Sequence, residues 1–252
     1  MKYAVITGTS RGLGESIAKL LMQQGIHVIG VARHANKSLK KLAQETTGSY
    51  QDYACNLANG EETEKIFSII ADQLFKKQTD IVYLIHNAGT VNPINTADKH
   101  TVESLNSHVH VNLIAPMITT GVFLKKANKT KIPLIVTSVT SGAADRSVYG
   151  WSAYCGTKAG LNRYTTSVAL EQDQLATSNK VILFDPSIMD TDMQEEIRST
   201  SKEAFQDVDK FQKYKEEDSL RDTDTVANVL VDILMDSENV VNGEYYSVKD
   251  VL

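Results

Sequence analysis

Tyr154 and Lys158 stand four residues apart, which puts both on one face of a helix. A tyrosine phenol ordinarily titrates near a pH of about 10. A neighbouring ammonium favours the phenolate and is expected to lower that value, making Tyr154 a general acid or base near neutrality. Ser141 lies thirteen residues before Tyr154, at the end of the run Leu134–Thr140, where a hydroxyl can meet a carbonyl oxygen. Ser138 competes for that place, but an odd separation turns it to the opposite face of a strand. Asn112 falls inside a long helical stretch, where an amide is mildly unfavourable and needs a reason. These residue types fit proton transfer at a carbonyl or alcohol oxygen.

A second group of residues fits a phosphate. Thr7-Gly8-Thr9-Ser10-Arg11-Gly12-Leu13-Gly14 follows the first apolar run and opens a helical pattern. Glycines in such a turn let backbone approach a pyrophosphate, and the helix N-terminus faces the charge. Arg33 closes the second run, at the position where an acid would hold a ribose 2′-hydroxyl. A guanidinium there suits a 2′-phosphate instead, and Arg11 is expected to reach the same group. NADPH is thus expected over NADH. Asn87-Ala88-Gly89 directly follows the fourth apolar run.

The elements that must position these residues alternate along the chain. Short runs at Tyr3–Thr7, His27–Ala32, Ser49–Ala54, Ile81–His86, Leu134–Thr140, Lys180–Phe184 and Glu244–Val248 read as strands. Helical patterns lie between them at Glu15–Gln24, Glu61–Lys77, Glu103–Ala127, Ala153–Leu170 and Thr223–Asp236. Nearly continuous apolar runs such as Ile81–Ile85 are expected of strands buried on both faces of a parallel sheet. The prediction is one α/β domain over residues 1–252, a doubly wound Rossmann-type parallel sheet of about seven strands with helices on both faces. Residues 193–222 break the rhythm. Their scattered apolar side chains at near-helical spacing predict a helical lid over the carboxyl ends of the strands.

Composition narrows the function classes. The net charge of −5 on 252 residues speaks against nucleic acid and against an anionic membrane surface. No uninterrupted apolar run approaches the roughly 18 residues of a membrane helix, and the start of the chain reads as a strand. Two cysteines, Cys55 and Cys155, read as free thiols in a reducing cytoplasm. No histidine or cysteine spacing predicts a metal site; His108 and His110 point to different sides of a helix.

Taken in order, Gly8-x-x-x-Gly12-x-Gly14, Asn87-Ala88-Gly89, Asn112, Ser141 and Tyr154-x-x-x-Lys158 resemble the short-chain dehydrogenase/reductase family along the whole chain. The resemblance implies a catalytic set of Asn112, Ser141, Tyr154 and Lys158, with Tyr154 and Lys158 also touching the cofactor. It gives the cofactor to the glycine turn with Gly8, Ser10, Arg11, Gly12, Leu13 and Gly14, to Arg33 and Asn56 on the adenosine side, and to Leu57, Asn87, Ala88 and Gly89. It gives the nicotinamide end to Pro186, Ile188 and Thr191. It implies NADPH/NADP, a small-molecule carbonyl substrate, and a homodimer or homotetramer. Two departures stand out: Asn56 replaces the family's acid, and Pro186-Ser187 replaces its Pro-Gly, so that a left-handed backbone there would cost about 1 kcal/mol. The segments 140–144, 150–155 and 189–199 further resemble the bacterial benzil reductases, which form (S)-benzoin, and the sepiapterin reductases. The implied activity is reduction of an aromatic or vicinal diketone. A 3-oxoacyl-carrier-protein-type reductase and a non-catalytic NADP-binding sensor are the alternatives. Nine acids against six bases in 193–222 would repel an acidic carrier protein.

Overall fold

In the computed structural model, which describes residues 1–76 and 78–252, seven strands form one all-parallel sheet. They are β1 (Lys2–Thr7), β2 (His27–Ala32), β3 (Ser49–Ala54), β4 (Ile81–His86), β5 (Leu134–Val139), β6 (Lys180–Asp185) and β7 (Tyr245–Ser247), in the order β3-β2-β1-β4-β5-β6-β7. Every residue of β4 and β5 is buried, as their unbroken apolar runs require. The chain winds outward from β1 in both directions, so a crevice opens at the carboxyl ends of β1 and β4.

Helices cover both faces. On one, α1 (Gly12–Gln23) and α9 (Thr223–Met235) pack Ile17, Leu21, Val226 and Leu230 against Ile6 and Ile85. On the other, α3 (Gly60–Leu74), α5 (Ala115–Thr130) and α6 (Ser152–Gln174) bury Phe67, Phe123 and Val168 against Val5 and Leu84. The predicted end of the third-strand crossover helix at Lys77 lies outside the described residues.

Three differences from the sequence expectations bear on the site. A short α2 (Lys37–Leu42) follows β2, capped by the Asn36 side chain. The stretch expected as one helix at 103–127 is α4 (Val102–Val109), a π turn (His110–Ile114) and then α5. By length and composition Val102–Thr130 could cross a membrane, yet here α4 packs on α6 and α5 on α3. The segment at 193–222 contains helical turns as expected, in α7 (Asp192–Arg198) and α8 (Val208–Glu216). Its large side chains, however, form a third core rather than an open pocket wall: Ile197, Phe205, Val208 and Phe211 are buried with Trp151 and Tyr154. Trp151 stacks on Phe205 at 4.7 Å and meets Tyr154 edge-on at 5.3 Å.

Candidate active site

The glycine turn is built to keep side chains out. Gly8 and Gly12 adopt φ of 75° and 61°, a region open to glycine. A Cβ on Gly14 would stand 2.3 Å from the Gly8 carbonyl oxygen and 2.4 Å from Asn87 Nδ2. Asn87 Nδ2 donates to the Thr7 and Gly8 carbonyls at 3.0 and 3.3 Å, while the Asn87 and Ala88 amides donate to Thr7 Oγ1. Asn36 Nδ2 donates to the Thr9 and Ser10 carbonyls at 3.0 and 3.3 Å, and to Glu15 Oε1 at 2.8 Å. The carbonyl oxygens of the turn are thus held by side-chain amides. The first-turn N–H groups of α1 have no side-chain cap, because the N-cap is Arg11. A bare helix N-terminus beside a turn that a Cβ would fill fits the pyrophosphate of a dinucleotide.

The two arginines part company. Arg33 is exposed just past β2 and makes no ion pair with the described residues. Arg11, expected beside it, pairs with Asp192 of α7 at 2.5 Å. Asn56 is exposed after β3, with Oδ1 accepting from the Ala58 amide at 3.2 Å, and Leu57 is buried beside it.

At the carboxyl end of β5, Tyr154 and Lys158 are 7% and 6% exposed, one turn apart on α6. Lys158 Nζ donates to the Val139 carbonyl at 2.8 Å and lies 5.8 Å from the Tyr154 ring centroid. The expected lowering of the phenol pKa does not occur. Burial pushes Tyr154 up to about 12; a hydrogen bond from Ser141 opposes this, and the Asp185 charge adds to it. Burial also pushes the Lys158 amine down to about 8, against the pull of Asp185. Desolvation outweighs the mutual attraction that the four-residue spacing implied. Tyr154 is therefore a protonated donor at neutral pH. Ser141 is extended at the strand end and also accepts from the Ala143 amide at 3.2 Å. Ser138 is instead tied to Thr165 at 3.1 Å, away from the phenol.

Asn112 is 1% exposed inside the π turn. Its amide spans the Thr90 backbone, with Nδ2 donating to the Thr90 carbonyl at 2.7 Å and Oδ1 accepting from the Thr90 amide at 2.9 Å. A Cβ on Gly89 would lie 3.4 Å from Asn112 Oδ1 and 4.0 Å from Lys158 Nζ, so the two polar groups border one point.

After β6, Ser187 has a φ of 60°, the left-handed backbone that the missing glycine would have eased. Two neighbours hold it there. Asp185 Oδ1 accepts from the Ser187 amide at 2.9 Å, and Arg221 donates to Ser187 Oγ at 3.4 Å. Pro186 is buried, and the Ile188 carbonyl accepts from the Arg221 amide at 3.3 Å. Thr191 caps α7 and sits against the glycine turn, where a Cβ on Gly12 would be 3.7 Å from its methyl.

The profile of the family described as short chain dehydrogenase matches residues 2–202. The chain belongs to the short chain dehydrogenase family. It is similar to a benzil reductase ((S)-benzoin forming) of Bacillus cereus, 38% identical over 97% of this chain and 98% of that one. A benzil reductase ((S)-benzoin forming) of Bacillus subtilis is 35% identical over 100% of both chains. A crystal structure of a short chain dehydrogenase/reductase from Saccharomyces cerevisiae superposes with a TM-score of 0.82 at 26% identity, covering 98% and 96% of the two chains. This short chain dehydrogenase is thus an oxidoreductase with a Rossmann-like fold.

Three residues of this short chain dehydrogenase's site escaped the sequence reading. Asn36 clamps the glycine turn; its only signal was an N-cap residue before a short polar helix. Asp185 places a buried carboxylate near Tyr154 and Lys158, and nothing in Phe184-Asp185-Pro186 announces that. His108 contacts Asn112 and α6, a role hidden by reading it only as a failed metal ligand.

Proposed function

We propose that the protein is an NADPH-dependent carbonyl reductase that reduces one ketone of an aromatic vicinal diketone, with Tyr154 as general acid. The observation that carries this is the joint burial of a protonated phenol and a depressed amine beside Ser141. The first-turn amides of α1, with Gly8, Ser10, Gly12, Leu13 and Gly14, would hold the pyrophosphate. Arg33 would take the 2′-phosphate, with Arg11 available if its pair with Asp192 opens. Asn56, Leu57, Asn87, Ala88 and Gly89 would hold the adenosine side, and Pro186, Ile188 and Thr191 the nicotinamide end. When bound, NADPH supplies a hydride. Tyr154 gives its phenolic proton to the carbonyl oxygen, and the Ser141 hydroxyl steadies that oxygen as charge develops. Lys158 returns a proton toward Tyr154 and would hold the ribose hydroxyls. Asn112 Oδ1, bordering the same point as Lys158 Nζ, anchors the water through which Lys158 is resupplied.

The substrate class is supported by the full-length likeness to two benzil reductases. Half-buried Met193, Val148 and Tyr214, at the border of the aromatic core above Tyr154, suit a flat apolar ligand. The exposed Glu195, Glu196, Glu203, Glu216 and Glu217 of the lid region disfavour an acidic carrier protein. The protein acts in the cytoplasm, where Cys55 and Cys155 stay reduced, as a homodimer or homotetramer; light scattering tests the latter. The activity test is NADPH consumption with benzil and 1-phenyl-1,2-propanedione, followed by chiral analysis. The hydroxyketone should accumulate, because the second carbonyl lies away from Tyr154 and Ser141. Full reduction to the diol, or faster turnover of acetoacetyl thioesters, overturns the assignment.

A further inference from the structure

His108 is 0% exposed and lies one turn before Asn112. Its Nδ1 is 2.5 Å from the Asn92 carbonyl oxygen, which can only accept, so Nδ1 carries the proton. In the neutral ring Nε2 is then a bare acceptor. It faces Asn112 Nδ2 at 3.1 Å and the Thr157 hydroxyl at 3.0 Å. The Asn112 amide cannot turn over to suit a different partner, because the Thr90 amide and carbonyl fix which end is which. Both hydrogens of Asn112 Nδ2 are therefore used, one on Thr90 and one on His108. The remaining lone pair of Oδ1 is left beside Gly89, where Lys158 Nζ also lies.

We propose that neutral His108 is a positioning residue, whose Nε2 locks the Asn112 amide against the helix carrying Tyr154 and Lys158. The inference rests on the role assigned to Asn112 above. Its ring also stands edge-on to Tyr154, with centroids 6.3 Å apart. The charged groups facing it are Lys158 from α6 and His100 from the loop before α4, both cationic when protonated. Burial first holds His108 below the usual histidine range, opposed by hydrogen bonds to the Asn92 and Ala153 backbone and reinforced by Lys158 and His100. Protonation would turn Nε2 into a donor, which the Thr157 hydroxyl or the Ala153 carbonyl can accept, but it would leave the Asn112 N–H without its acceptor and so release the amide. Turnover therefore acquires an acid limb that belongs to His108 and not to Tyr154 or Lys158.

Two variants separate the ring's two ends. His108→Asn keeps a donor near Nδ1 for Asn92 and removes the acceptor at Nε2. His108→Gln reaches Nε2 with an amide oxygen that accepts but does not titrate. The full-length enzyme is assayed with NADPH and benzil from pH 5 to pH 8, with kcat, KM for NADPH and the solvent isotope effect on kcat. Expected for His108→Asn is a loss of about tenfold or more in kcat with a larger solvent isotope effect and an unchanged KM for NADPH. Expected for His108→Gln is kcat within about threefold of wild type at neutral pH and no acid limb. An acid limb retained in His108→Gln, or wild-type kcat in His108→Asn, overturns the proposal. Asn112→Ala is the control. If it turns over normally, the role of Asn112 itself falls; if it is crippled while His108→Asn is not, only the role of His108 falls.

Discussion

Raising the pH should remove one proton from the site, and it should be the one on Lys158. Its amine sits at about 8 and the Tyr154 phenol at about 12, so between about pH 6 and pH 10 only the amine of this pair changes charge. The quantity to measure is kcat/KM for NADPH, which reports groups of the free enzyme. With a midpoint at about 8, about nine-tenths of Lys158 is ammonium near pH 7 and about one-tenth near pH 9. The ratio should fall about tenfold between them and about tenfold per unit beyond. The same shift has a cost in stability. The folded-state pKa is depressed from 10.5 to about 8, so the penalty is fully present below pH 8 and is relieved as the pH rises toward the unfolded value. At about 1.4 kcal/mol per unit that is on the order of 3 kcal/mol, less about 1 kcal/mol for the hydrogen bond to Val139. Lys158→Met should therefore be about 2 kcal/mol more stable to urea at pH 7, and inactive at every pH. A flat profile across pH 7 to 9, or a Lys158→Met less stable than wild type, would refute the reasoning.

Tyr154→Phe removes only a hydroxyl from a residue already packed against Trp151; NADPH should still bind by fluorescence while reduction drops about 10²–10⁴-fold. Near-normal turnover would show another acid at work. Arg33→Asp should shift kcat/KM from NADPH toward NADH, since a carboxylate repels the 2′-phosphate and accepts from a 2′-hydroxyl; an unchanged preference would leave Arg11 as the residue to test. Gly14→Ala forces a methyl to within 2.3 Å of the Gly8 carbonyl; dinucleotide affinity should fall by about tenfold or more by fluorescence titration, and wild-type affinity would mean that the turn is more pliable than its contacts imply.

The sheet was legible because strands buried on both faces carry unbroken apolar runs: all seven strands begin and end within a residue of the runs read from sequence. Spacing alone gave Tyr154 and Lys158 a shared helix face; the set with Asn112 and Ser141 came from the resemblance of the ordered motifs. What escaped depends on contacts distant in sequence. Helix α2 is six residues long and is tied down through Asn36 to a turn far upstream. The phenol pKa depends on burial in the cluster with Trp151 and Phe205, which the spacing of Tyr154 and Lys158 does not encode. Periodicity marked Ile197, Phe205 and Phe211 as one face of a lid, yet could not say that this face closes on Trp151 and leaves no wall to line.

The π turn at His110–Ile114 has a consequence for how this chain can change length. A π turn carries one residue more than an α turn. Deleting one of the five would leave an α turn in its place, which completes the same rotation with one residue fewer, so α4 could stay seated on α6 and α5 on α3. The site would not stay, because Asn112 sits inside the widened turn and reaches the Thr90 backbone from there. A single-residue deletion here should therefore spare the fold and cost turnover through Asn112, even when the deleted residue makes no contact with the site.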